Sequence, residues 1–80
     1  MLINMSEMKL KDKATIFSFD IPNPADRQKL FACGLIPGAT VAVAHIAPLG
    51  DPMQLRLNGD ILLSIRKSEA RYVKVDCINR

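Results

Sequence analysis

From residue 40 onward the chain alternates apolar and polar positions in short runs, the period of strands that cover one face. Met53 to Leu57 and Ile61 to Ile65 are two such runs, joined by Asn58-Gly59-Asp60. A two-residue Asn-Gly turn would pair Leu55 with Leu62 and turn Ile61, Leu63 and Ile65 to the face of Gln54 and Arg56. A three-residue loop over 58–60 instead sets Leu57 opposite Ile61, Leu55 opposite Leu63 and Met53 opposite Ile65, so that all six apolar side chains share a face. The longer loop is therefore expected. Upstream, Thr40 to Ile46 places Val41, Val43 and His45 on one face and Ala42, Ala44 and Ile46 on the other. A last strand over 71–77 turns Val73, Val75 and Cys77 inward and Tyr72, Lys74 and Asp76 outward.

A further strand is expected over 14–21, where Ile16, Phe17, Phe19 and Ile21 alternate imperfectly before Pro22, which has no ladder donor. Asn23-Pro24-Ala25-Asp26 then reads as a helix start, with a side-chain oxygen at the N-cap, proline at N1 and an acid in the first turn. The helix runs over 24–33. Gly34 suits the left-handed C′ position, and Leu35 at C″ reaches back to Leu30. Ile36-Pro37-Gly38 makes the next turn, 47–52 is a rigid loop with two prolines and a glycine, and 66–70 is a short helical turn. Residues 1–13 predict a loose start, with 1–9 a loosely ordered arm and Leu10 tucked against the core. Five short strands and one short helix in so few residues would leave open edges unless the sheet curls into a small barrel, so the expected class is mainly β.

Eighty residues make one domain, 1–80, and a chain of this size buries only about 60% of its extended surface. A deep enclosed active site is not expected. With 49% hydrophobic and 24% charged residues the chain is globular rather than disordered. The net charge of +3 comes from interspersed signs, which permits an acidic partner without demanding nucleic acid. No apolar run approaches the roughly 18 residues that cross a bilayer, and the N-terminus lacks the basic segment of a signal peptide. Work at a membrane would need recruitment by a partner.

Candidate chemistry is sparse. Cys33 and Cys77 lack the spacing of a disulfide scaffold or local zinc site and read as small apolar fillers in a reducing compartment. The lone His45 reads as a half-buried strand residue, although a joint site of His45, Cys33 and Cys77 stays open on sequence alone. No carboxylate pair has acid–base spacing, and Gly34 and Gly38 are a cap and a turn, not a phosphate loop. No catalytic residue, metal ligand or cofactor is assigned. The three phenylalanines sit in core-like positions, leaving Tyr72 as a poor stacking platform for nucleic acid or proline-rich peptides. What remains is the loop that presents Pro48, Leu49, Gly50, Asp51 and Pro52, a surface suited to contacting another protein.

In this order the helix end Leu30-Phe31-Ala32-Cys33-Gly34-Leu35-Ile36-Pro37-Gly38, the segment Ala47-Pro48-Leu49-Gly50-Asp51-Pro52 and Leu63-Ser64-Ile65-Arg66-Lys67-Ser68-Glu69-Ala70 resemble the FeoA family, ferrous iron transport protein A. The resemblance runs from about Leu10 to Val75. It implies an SH3-like β-barrel with an added helix, and a small bacterial cytosolic protein that is not an enzyme. It also implies an accessory role on the cytoplasmic GTPase portion of the FeoB membrane transporter, with Pro48, Leu49, Gly50, Asp51, Pro52 and Leu35 as candidate contact residues. Two alternatives stand beside it: an iron carrier or sensor, and a stand-alone regulatory domain like that at the C-terminal end of metal-dependent repressors. Exposed strand edges also allow weak self-association.

Overall fold

Six strands form one antiparallel sheet in the computed structural model, which describes residues 1–78; the last two residues of the expected 1–80 domain lie outside the described residues. The strands are β1 (Leu2–Asn4), β2 (Lys13–Phe19), β3 (Thr40–Ile46), β4 (Met53–Leu57), β5 (Ile61–Ile65) and β6 (Val73–Cys77). Their order across the sheet is β1-β6-β2-β3-β4-β5. Among the described residues there are also two α-helices, α1 (Pro24–Ala32) and the single turn α2 (Lys67–Ala70). The sheet curls over its own inner face into a barrel-like shape, but no ladder joins its edge strands β1 and β5.

The β4–β5 register is the one that apolar alternation demands: Leu57 faces Ile61, Leu55 faces Leu63 and Met53 faces Ile65. Asn58 and Gly59 make the turn at positive φ, 51° and 89°. Elsewhere alternation is interrupted twice. The β2–β6 register shifts between Ile16 and Ser18, and the β3–β4 register shifts between Val43 and His45. Each shift inserts one unpaired residue, which bends the strand and exchanges its faces. Phe17 is consequently exposed, not in the core, while Phe19 returns inward beside Val73. Beyond Ala44 the same exchange turns Ile46 inward opposite Met53 and His45 outward beside Gln54. The expected shared face of Val41, Val43 and His45 thus ends at Val43, and His45 is exposed rather than half-buried.

The N-terminus differs most from expectation. Residues 1–9 are an ordered edge: β1 pairs with β6, with Ile3 opposite Val75, and a 3₁₀ turn over Met5–Glu7 follows. Ile3, Met5 and Met8 are buried, because β6 offers a second ladder edge that their side chains fill. The Asn4 N–H donates to Glu7 Oε2 at 2.9 Å, closing the turn. Leu10 is exposed instead of tucked in, since it lies at the corner of a turn in which Lys9 N–H donates to Asp12 Oδ2 at 2.9 Å and Lys11 takes φ 72°.

Helix α1 begins and ends as its sequence dictates. Asn23 Oδ1 accepts from Ala25 N–H at 2.9 Å, and Pro24 opens the helix. At the other end Leu35 N–H donates to Leu30 C=O at 3.1 Å and Gly34 N–H to Phe31 C=O at 3.0 Å, both bonds of a Schellman ending. Cys33 is the C-cap and lies exposed, so it fills no apolar space; Cys77 does, on β6. Leu30 and Leu35 plug one end of the barrel, and the Leu57 side chain packs against the bare Cα of Gly34, where a Cβ would lie 3.1 Å from Leu57 Cδ2. Gly34 has φ 97°. Gly34→Ala therefore adds left-handed strain to a steric conflict and is expected to cost about 1–2 kcal/mol. Urea unfolding checks this through a lowered midpoint at unchanged m-value; an unaltered midpoint would refute the account of this cap.

Candidate docking site

The 47–52 loop links β3 to β4 and carries five of the six residues marked out by sequence. Gly50 N–H donates to Ala47 C=O at 2.7 Å and Ala47 N–H to Pro52 C=O at 3.2 Å, which closes the loop on itself. Gly50 takes φ 84°, and the Asp51–Pro52 peptide is cis. The loop is also tied sideways. Asp51 Oδ1 accepts from Lys67 N–H at 2.9 Å, so its carboxylate takes up a backbone donor at the first residue of α2. The end of the Lys67 side chain lies over Gly50, with Nζ 3.1 Å from where a Cβ would stand. Thus Asp51 and Gly50 hold the loop, and Pro48, Leu49 and Pro52 are left exposed. Leu49, at the tip, is 94% exposed.

Leu35 does not belong to this surface. It is 0% exposed, because the Schellman contact that fixes the helix end draws it into the core. Its role is structural, and Ile36 beside it is the residue that reaches solvent.

A second apolar surface lies on α1. Phe31 is 55% exposed, and its ring stands 6.3 Å from that of Phe19, tilted at 50°. With Pro24, Arg27 and Gln28 these rings line a shallow groove of about 470 Å³. Sequence reading missed it by placing every phenylalanine in the core. The core is in fact made of aliphatic, alanine, methionine and cysteine side chains, with no aromatic among the buried residues described. The signal that could have exposed the groove is the helix itself: Leu30 is its single buried residue, which leaves the adjacent Phe31 to point away.

Among the described residues no three of His, Cys, Asp and Glu lie close enough to share a metal ion, so His45, Cys33 and Cys77 are not gathered. Nor is any buried side-chain polar atom there without a hydrogen-bond partner. What the arrangement offers is a small, fixed, apolar projection.

Comparison with known proteins decides the family. The FeoA domain model matches residues 3–77. The chain belongs to the FeoA family. FeoA from Chlorobium tepidum shares 38% identity over 95% of this chain and 70% of its own, with a TM-score of 0.86. The zinc-complexed FeoA of Stenotrophomonas maltophilia shares 27% identity over 92% of this chain and 89% of its own, at a TM-score of 0.77. That protein is described as a prokaryotic SH3 domain protein and a candidate activating factor of bacterial ferrous iron transport. The SH3-like class expected from sequence therefore holds, with β1 and the 3₁₀ turn at Met5–Glu7 added. A manganese-dependent repressor has the same fold at 9% identity, over 96% of this chain and 37% of its own, at a TM-score of 0.87.

The Asp51 tether is testable in this FeoA domain. Asp51→Ala leaves Lys67 N–H without its acceptor and is expected to cost about 1 kcal/mol, with faster amide exchange at Lys67 and Gly50. Exchange rates equal to wild type at both positions would show that the loop holds without the carboxylate.

Proposed function

We propose that this FeoA protein is a non-enzymatic accessory module of bacterial ferrous iron uptake, which docks on the cytoplasmic GTPase portion of a FeoB-type membrane transporter. Leu49 carries the reading: a bulky apolar side chain, 94% exposed, held between two prolines on a loop closed by its own hydrogen bonds and by Asp51. An exposed leucine on a mobile loop would lose much of its contact energy to ordering. Here most of that conformational cost is met in the free protein, so burial of Leu49 converts to affinity more fully. The family's association with ferrous iron transport, and the activating role suggested for the Stenotrophomonas maltophilia relative, support the same partner.

On this reading the protein works in the cytoplasm and reaches the membrane through its partner. Among the described residues no helix is long and apolar enough to cross a bilayer.

Leu49→Glu should weaken binding to the transporter's cytoplasmic portion by about tenfold or more, with an unchanged amide spectrum and unchanged stability. Phe31→Ser, on the helix groove, serves as the comparison. If Leu49→Glu binds as wild type while Phe31→Ser does not, the docking surface is the groove, and the loop assignment is wrong.

A further inference from the structure

The two edges of the sheet are unlike. β1 is only three residues long and runs straight into its 3₁₀ turn, and a short edge of that kind resists further pairing. β5 has none of the usual protections. It is five residues, Ile-Leu-Leu-Ser-Ile, without charge, proline or bulge, in unbroken register with β4. Among the described residues no hydrogen bond joins 61–65 to any element other than β4. Its apolar side chains are open as well: Ile61 is 49% and Leu62 is 52% exposed, on opposite faces of the strand.

The occupant that fits this edge is written into its flanks. An antiparallel strand pairing with its own copy about Leu63 sets residue 61 against 65 and 62 against 64. The same register carries on to residue 60 against 66, which are Asp60 and Arg66. Arg66 is still in extended conformation, at φ −79° and ψ 149°, and although its own N–H and C=O serve the start of α2, its side chain continues the outer face of β5. The two-fold thus generates two acid–base pairs, one at each end, beside Leu62 and Ser64 on the outer face. On the inner face Ile61 would be covered by Ile65 and Leu63 by its own copy, continuing the apolar layer of each barrel. Shifting the register by two residues loses the charge match and leaves part of the strand unpaired.

We propose that β5 is a self-association edge: two copies of this chain join antiparallel about Leu63 into one continuous sheet, with Asp60 of each facing Arg66 of the other. The contact is isologous and closes at two copies, since each protomer spends its one open long edge.

Sedimentation velocity on the full chain, from micromolar to millimolar concentration, reads this out, with an amide spectrum as the check on folding. Wild type should show a sedimentation coefficient that rises toward that of a dimer. Leu62→Lys, which brings a cation beside Arg66 of the other copy, should abolish the rise. Asp60→Arg should weaken association by about tenfold, and Asp60→Arg with Arg66→Asp should recover it. A chain that stays monomeric to millimolar concentration overturns the proposal. So does a dimer indifferent to Leu62→Lys, or a double exchange no tighter than Asp60→Arg alone. Protection of the Leu62 and Ser64 amides that appears only on adding the transporter's cytoplasmic portion would identify another protein as the occupant, and would equally overturn it.

Discussion

A sheet one layer thick has nothing to pack on but itself, and this constraint governs the rest of the molecule. Six strands must curl until Ile16, Val41, Val43, Leu55, Val73 and Val75 meet across a shared interior. The bends that permit it fall at Phe17 and Ala44, where one extra residue tightens the twist. The space enclosed is small, and it is filled with aliphatic and methionine side chains whose shapes suit a curved inner surface. The open end is stopped by Leu30 and Leu35 from the end of α1, and Ala70 of α2 is buried in the same core. Phe17 and Phe31 are displaced to the outer surface, while Phe19 and Tyr72 pack against the core from its rim.

Local rules were legible in the sequence wherever a single element decided the outcome. The caps of α1 are written in Asn23-Pro24 and Gly34-Leu35, and the β4–β5 register follows from six apolar side chains needing one face. Nothing local announces a bulge. The extra residue at Ala44 or Phe17 is favoured by what the curled sheet needs as a whole, so alternation misplaced His45, and apolar character alone misplaced Phe17. The N-terminal arm failed for a related reason. Three residues of strand carry too little periodicity to be noticed, and the ladder that orders them is supplied by β6, seventy or more residues away.

The candidate site divides in the same way. Two prolines and a glycine made the rigidity of 47–52 legible, and Leu49 emerged as its exposed tip. The tether from Asp51 to Lys67 joins residues sixteen apart, and only the fold brings them together. Leu35 illustrates the reverse error: the contact that correctly predicted the helix ending also required its burial, so it could not serve a partner as well.

The place of β6 between β1 and β2 has a temporal side. β6, the last of the six described strands, supplies the ladder for both β1 and β2, which do not pair with each other. During synthesis β2, β3, β4 and β5 can zip as a local meander, while β1 and the other edge of β2 wait for β6. Native structure is then reached by a long-range closure, slow for a chain so short, and an unfinished polypeptide carries exposed strand edges until β6 arrives.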